Sequence, residues 1–200
     1  MNPLISAGNF LTCATDALVT TLSPCVTLNW QEQTPTLDWT QEETAVHTMR
    51  ACLEYSFQVV GGDRDYYQPV YFGTKDAVQP EQLLRMIDTA GATLRRSVAT
   101  ASPEDRAWHA YGESDPVGFA AMGVVEVSVH TFDIAQGFGI SFTPDAAAAE
   151  FAINRLFLDT VEKAPTNYAD AGELLMWFAG RIPLDGFAQR ENWKWNGSVR

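Results

Sequence analysis

Apolar residues recur at spacings of three and four along several segments of this sequence, and this period limits the fold class more than any other feature. Such spacing lines up apolar side chains along one face of an α-helix. The first of these segments is stopped by Pro24, because proline cannot continue a helix. Its recurring positions are Leu4, Ala7, Leu11, Ala14, Leu18 and Leu22. The segment is therefore predicted to be an amphipathic helix.

Two further helices are predicted from their end signals as well as from their period. Thr40 and Glu43 form a capping box, in which each side chain accepts a hydrogen bond from the backbone N–H of the other residue, and Gly61 with Gly62 ends that helix. Pro80 occupies the first turn of the next helix, where proline is tolerated. The expected apolar stripes are Val46, Met49, Leu53, Phe57 and Val60 on the second helix, and Leu83, Ile87, Ala90, Leu94 and Val98 on the third.

The segment after residue 113 has two interpretations. Residues 125–131 alternate apolar and polar side chains, as a half-buried strand would. Against this, Asp115 and Pro116 have the types expected at the cap and first turn of a helix, and Gly137 and Gly139 mark its end. Since no proline interrupts the residues between these signals, a helix is the preferred interpretation.

Two more helices are expected in the last third of the chain. One begins near Thr143 and runs through about Lys163, and a shorter one extends from Ala169 to Gly180. The late Trp-Lys-Trp sequence is expected to pack back on the body of the protein. The elements together predict an all-α fold, a four-helix bundle with additional C-terminal helices, which forms a single helical metal-binding domain over residues 1–200.

Composition excludes several classes of function. The chain has 13 Lys and Arg against 25 Asp and Glu, a formal net charge of −12, so a polyanion such as nucleic acid would be repelled. No apolar run reaches the roughly 18 residues of a membrane helix, and the first residues lack the cationic region of a secretory signal. We expect a cytoplasmic protein that binds neither nucleic acid nor membrane.

The three cysteines carry no assigned chemistry. Cys13, Cys25 and Cys52 form no C-x-x-C pair, and their odd number argues against a closed disulfide framework. Each is more typical of a small buried apolar residue than of a nucleophile.

Glu126 and His130 are the residues whose spacing has the clearest chemical meaning. In a helix they lie one turn apart, about 6 Å between Cα atoms, whereas in a strand they would be about 13 Å apart. Two imidazoles and one carboxylate bind a divalent ion with open positions for water or substrate. His47, on the second helix, is the best placed third ligand, and His109 is the alternative. The competing interpretation is a hydrogen-bonded Glu126–His130 pair on a helix surface, with His47 an unrelated half-buried histidine.

Four short stretches, read in order, carry more information than any one of them. They are Trp39-Thr40 with Glu43 and His47, GFAAMGVVEVSVHTFDIAQGFG (residues 118–139), LLMWFAGRIPL (174–184) and WKWNG (193–197). In order and spacing they resemble the DinB-like superfamily of four-helix metalloproteins, and more closely the branch named after the N-terminal domain of mycothiol-dependent maleylpyruvate isomerase. The likeness covers nearly the whole chain.

The resemblance implies a metal site and a co-substrate. The metal triad of the family falls on His47, Glu126 and His130, with zinc the expected metal and mycothiol the expected co-substrate. Members with the isomerase architecture carry a further C-terminal domain, and this sequence ends at Arg200. The expected activity is therefore transfer of mycothiol or a similar small thiol to an electrophilic small molecule. A mycothiol-dependent isomerase, a metal-dependent hydrolase and a non-catalytic metal- or ligand-binding protein are the alternatives, and the resemblance also allows a homodimer.

Further residues are candidates for binding the thiol or the electrophile. Each has a plain structural alternative, since arginines on helices are usually solvated and His109 could simply close a loop. Asp133, one turn past His130, is expected to orient that ligand, or else to be an ordinary carboxylate near the helix end. The substrate-binding candidates are Arg50, His109, Tyr111, Asp133, Arg155 and Arg181.

Overall fold

The structure, a computed structural model, describes residues 2–158, 164–166 and 168–199, and this part of the chain contains six α-helices and no strand. The all-α prediction is therefore confirmed. The helices are α1 (Pro3–Leu22), α2 (Gln41–Gly61), α3 (Pro80–Thr100), α4 (Pro116–Gly137), α5 (Ala146–Leu156) and α6 (Ala171–Phe178). A short 3₁₀ turn, Ser23–Cys25, extends α1 up to the long loop that precedes α2.

Helices α1 to α4 form the bundle. Both α3 and α4 pack against α1 and α2, while α5 packs on α4 and α6 packs on α5. The apolar stripes predicted for α1 and α3 are buried at every position, which confirms both predictions. The core thus lies between helices whose inner faces follow from the period of the sequence.

Helix α4 is the centre of the fold and is buried on nearly every side. Its first turn is capped by Asp115, whose carboxylate accepts a hydrogen bond of 2.7 Å from the N–H of Gly118. The strand interpretation of residues 125–131 is therefore wrong. Gly123 allows a neighbour to approach closely, since a Cβ there would lie 2.8 Å from a methyl of Leu94. α4 is long and apolar enough to cross a membrane, but 89% of that stretch is buried inside the bundle, as in the core helix of a globular protein.

The apolar stripe predicted for α2 is partly wrong. Phe57 is 44% exposed and Val60 is 75% exposed, because the helix is rotated relative to the expected face. Its buried face carries small hydroxyl residues that donate hydrogen bonds of 2.7–2.8 Å to the carbonyl oxygens one turn earlier. These residues are Thr44, Thr48 and Ser56. Since each hydroxyl is satisfied within its own helix, these polar residues can enter the core beside the buried Met49, Tyr55 and Val59.

The C-terminal helices are shorter than the sequence suggested. α5 ends at Leu156, so the helix predicted through about Lys163 is interrupted at Phe157, and residues 159–163 lie outside the described part of the chain. The tail packs back on the body, as predicted, because the N–H of Gly197 donates to the carbonyl of Tyr111 at 2.8 Å. This contact brings the tail to the loop between α3 and α4.

Candidate metal centre

His47, Glu126 and His130 converge at one point between α2 and α4. The Nε2 atoms of His47 and His130 lie 3.3 and 3.2 Å from the same oxygen, Oε2 of Glu126. One potential ligand atom from each residue lies within 4.8 Å of the other two. The side chains are 25%, 13% and 9% exposed, in the order His47, Glu126, His130, so the group is recessed. An isolated surface pair of Glu126 and His130 does not describe this arrangement, because His47 from another helix shares the same oxygen.

The three residues fit a divalent cation. Around a tetrahedral zinc ion with bonds of about 2.1 Å, neighbouring ligand atoms are about 3.4 Å apart. The two nitrogen–oxygen distances, 3.3 and 3.2 Å, are close to this value, and the two nitrogens lie within 4.8 Å of each other. The donor set of two imidazoles and one carboxylate is typical of catalytic sites, which leave a position open for water or substrate.

The Nδ1 side of His130, which faces away from Glu126, contacts the buried ion pair of Asp133 and Arg181. Its Nδ1 lies 3.0 Å from Oδ2 of Asp133, which is completely buried. Arg181, in the turn after α6, donates two hydrogen bonds to that carboxylate, at 2.7 and 2.8 Å, and Thr36 donates a third. A carboxylate in this position sets the ring orientation and the tautomer of a metal-binding histidine.

Charges within this cluster shift its pKa values strongly. Burial alone would raise the pKa of Glu126, but hydrogen bonds with His130 and His47 hold it well below its usual range. Burial would lower the pKa of His130, but Asp133 and Glu126 raise it to about 9. For Asp133, burial is likewise outweighed by His130 and Arg181, which lower the pKa. The two carboxylates are therefore anionic at neutral pH, as ligands and ligand supports must be.

His47 is held less firmly than His130. Its Nδ1 lies 3.1 Å from Nη2 of Arg50, a group that can only donate. Its ring also lies against Trp39, with 4.8 Å between the ring centroids, and Trp39 is 38% exposed. A metal-bound imidazole carries its hydrogen on the other nitrogen, so Arg50 competes with the tautomer that coordination requires.

The triad lies at one side of a cavity of about 340 Å³. The lining also includes His109 from the loop before α4 and aromatic residues of α2, of two loops and of the tail. The lining residues are His47, Tyr55, Tyr67, His109, Ala110, Tyr111, Val125, Glu126, Val129, His130, Arg181, Trp193 and Trp195. A larger groove of about 580 Å³ adjoins the cavity at Tyr111 and Trp195, but none of the triad lines it.

The predicted substrate-binding residues fall into different places. His109, Tyr111 and Arg181 line the cavity beside the triad. Arg50 lies on the outer side of His47, and Asp133 lies behind His130.

Arg155 is not brought to the cavity. Its guanidinium lies 3.0 Å from Oδ1 of Asp115 and donates to the carbonyls of Gly197 and Ser198, at 3.2 Å each. These contacts hold the tail against the start of α4. Arg155 therefore ties two segments together, and nothing in its surroundings points to a ligand.

Sequence reasoning missed two tyrosines and an exposed tryptophan at the site. Tyr55, two turns after His47 on α2, donates a hydrogen bond of 3.1 Å to Oε1 of Glu126. The helical spacing of eight residues from His47 could have indicated it. Tyr67 and Trp39 come from loops, where no period places a side chain.

Comparison with known proteins identifies a family match. The sequence model described as the mycothiol maleylpyruvate isomerase N-terminal domain matches residues 11–135, more than half of the chain. No curated protein and no solved structure matches. The matched range includes all three donor residues, whereas Arg181 and the tail lie beyond it.

Proposed function

The chain belongs to the family of the mycothiol maleylpyruvate isomerase N-terminal domain, and from this membership we propose that it is a metal-dependent thiol transferase. The thiol is mycothiol or a similar small thiol, and the second substrate is a small electrophile. His47, Glu126 and His130 hold the metal, a divalent ion for which zinc is the expected choice. The observation that carries this proposal is the convergence of three donors, within 4.8 Å of one another, at the wall of a cavity.

The metal would supply the nucleophile, because a thiol that coordinates a divalent cation loses its proton. The residues of the chain prepare the position where this happens. Asp133 and Arg181 hold the ring of His130 in place, and the hydroxyl of Tyr55 fixes the second oxygen of Glu126. Since positioning of reactants lowers the barrier of a bimolecular step, these supports contribute to the rate as well as to metal affinity.

The thiol has to come from outside the protein. Cys52, on α2 near Glu126, is buried, and its pKa is raised to about 12 by burial and by the charge on Glu126. Cys25 is buried as predicted, whereas Cys13 is exposed on α1, and neither of them lines the cavity. A thiol with a raised pKa is a poor nucleophile and a poor metal ligand, so the cysteines of the chain do not serve as the attacking group.

The decisive assay combines zinc-loaded protein, mycothiol and monochlorobimane, with products followed by mass spectrometry. We expect formation of the thioether at a rate that falls to the background rate when the metal is removed with a chelator. Loss of the electrophile in the absence of any thiol would instead indicate a hydrolase.

The metal assignment is tested separately by elemental analysis of variants. His47→Ala and His130→Ala are expected to lose the metal. His109→Gln is the matched control, since it removes the third histidine of the chain and is expected to keep the metal. Unchanged metal content in His47→Ala would contradict the triad.

A further inference from the structure

The cavity has a second polar end, separated from the triad by Tyr55, where His109 lies among aromatic rings. We propose that His109 is a catalytic residue, which donates a hydrogen bond from Nε2 to an oxygen atom of the electrophile. The preferred electrophiles are then conjugated carbonyl compounds and epoxides, on which attack by a thiolate places negative charge on oxygen. This inference rests on the proposed function and names its substrate class.

The tautomer of His109 is set by the backbone. The N–H of Tyr111 donates a hydrogen bond of 3.0 Å to Nδ1 of His109. A neutral imidazole that accepts at Nδ1 carries its hydrogen at Nε2. His109 is therefore a donor at the nitrogen that the backbone does not occupy.

That donor is available to a ligand. His109 is 5% exposed and lines the cavity. Among the described residues, Nε2 has no hydrogen-bond partner, and it is not one of the fully buried atoms that lack a partner, so a molecule in the cavity can reach it. Because an unmatched polar group in a recessed site gains most from a partner that fits it, an incoming acceptor is favoured there.

The imidazole is neutral under working conditions. Burial lowers the pKa of His109 to about 4, and the charge on Glu126 opposes this only in part. Its neighbours are rings, with centroids of Tyr55, Tyr67 and Trp195 at 5.8, 5.8 and 5.9 Å. A neutral imidazole can stabilise an oxyanion by hydrogen bonding while keeping its own proton.

Arg181, the arginine in the cavity wall, is already paired with Asp133. Arg181 directs Nε and Nη2 to Asp133 and Nη1 to the carbonyl of Ala179. The charge of Arg181 is thus balanced by Asp133, and three of its five N–H groups are already used, which weakens its attraction for a substrate carboxylate. The cavity therefore suits an oxygen that gains its charge during the reaction rather than one that arrives charged.

The donor and the triad are close enough to act on one small molecule. Tyr55 contacts both, since its hydroxyl lies 3.1 Å from Glu126 and its ring packs on His109. One aromatic ring thus separates the two ends of the cavity.

The reaction balances without an oxidant or reductant. With an epoxide, a C–S bond forms and a C–O bond breaks, and the electron pair stays on the oxygen that His109 contacts. With a conjugated ketone, the C–S bond forms at the β carbon and the π electrons move to the carbonyl oxygen. In both cases the proton that the thiol released is regained from solvent water.

The kinetic test compares two kinds of electrophile. His109→Phe keeps an aromatic ring but has no donor, and His109→Gln replaces the imidazole with an amide donor as the conservative control. With 2-cyclohexenone we expect His109→Phe to lose kcat/KM on the order of 10²-fold and His109→Gln to recover part of it. With benzyl chloride, where the negative charge develops on chloride and not on oxygen, we expect His109→Phe to lose much less of its kcat/KM than it loses with 2-cyclohexenone. Equal loss with both electrophiles would mean a structural role and would overturn the proposal.

A second measurement needs neither metal nor turnover. In metal-free protein, 4-(dimethylamino)cinnamaldehyde should absorb at longer wavelength when its carbonyl accepts the hydrogen bond of His109. We expect this shift with wild type and not with His109→Phe; the same spectrum for both would overturn the proposal. NMR of the imidazole nitrogens should show the Nε2–H tautomer at pH 7, and an imidazolium or Nδ1–H form would overturn it as well. If thiol transfer itself fails, these two results still decide the role of His109.

Discussion

The two ends of the cavity contain histidines that are about equally buried, but in the metal-free protein one is charged and the other is neutral. His130 is 7% exposed and His109 is 5% exposed. The pKa of His130 is raised to about 9 because Asp133 and Glu126 face its two nitrogens, whereas the pKa of His109 is lowered to about 4 by burial among rings. The comparison shows that neighbours, rather than depth, decide whether a buried imidazole is charged.

This difference separates two chemical tasks. The carboxylate-rich end attracts positive charge, which is a proton in the metal-free protein and a cation in the proposed holoenzyme. The phenol-rich end keeps its histidine neutral, so it can donate a hydrogen bond without adding a charge. A single cavity of about 340 Å³ thus contains both a cation-binding site, at the triad, and a neutral hydrogen-bond donor, at His109.

The largest expected effect comes from Asp133→Asn. It leaves Arg181 buried without its anion, so we expect a loss of about 3–5 kcal/mol in the free energy of unfolding and a loss of about 10–100-fold in metal affinity. Urea denaturation of the metal-free protein and competition with a chromophoric chelator measure the two effects.

The double variant Asp133→Asn with Arg181→Met sharpens this result. Removing the unpaired guanidinium should restore much of the stability while metal affinity stays low, because His130 still lacks its carboxylate. Recovery of both properties together would show that Asp133 acts on the metal only through folding.

The next effect concerns how the free energy of unfolding of the metal-free protein depends on pH. His130 should make stability fall at alkaline pH, and His109 should make it fall at acid pH. The folded-state pKa of His130, about 9, lies above its unfolded value of about 6.5. Its contribution, about 3 kcal/mol, is therefore fully present below about pH 6.5 and is lost as the pH rises through about 9. The folded-state pKa of His109, about 4, lies below the unfolded value, so stability falls as the pH drops from about 6.5 to 4.

Two variants assign these slopes. His130→Gln should flatten the alkaline side of the urea-denaturation profile, and His109→Gln should reduce the slope on the acid side. If exchanging either residue leaves its side of the profile unaltered, that histidine does not carry the charge state inferred from its neighbours.

The smallest expected effect is an increase in metal affinity in Arg50→Met. Arg50 donates toward the nitrogen of His47 that must carry a hydrogen when its partner nitrogen coordinates a metal. Removing that contact, worth about 1 kcal/mol, should raise metal affinity by about fivefold. Arg64→Met is the matched control, because that arginine pairs with Glu113 on the surface; equal changes in both variants would indicate a general charge effect.

Local pattern predicted the fold and most of the triad. Glu126 and His130 are one turn apart within a single helix, so their proximity follows from helix geometry once the strand is excluded. The register of α2 was harder, since its buried face includes Thr44, Thr48 and Ser56 and leaves the predicted Phe57 and Val60 exposed. Their hydroxyls donate hydrogen bonds to carbonyl oxygens of the same helix, so these polar residues can be buried in the core.

The parts that sequence alone could not place depend on contacts between distant segments. Arg181 pairs with Asp133, which lies 48 residues earlier in the sequence. Arg155 instead donates hydrogen bonds to the carbonyls of Gly197 and Ser198 in the tail. No spacing rule distinguishes these two arginines. His109 likewise depends on the N–H of Tyr111 for its tautomer, which is a property of the loop backbone.

The exposed ring of Trp39 against His47 has a practical consequence. Copper(II) or cobalt(II) placed beside an indole quenches its fluorescence, so emission would report occupancy of the triad in real time and without an added dye. The chain has six tryptophans, and Trp39→Phe would identify the share of the signal that belongs to this position.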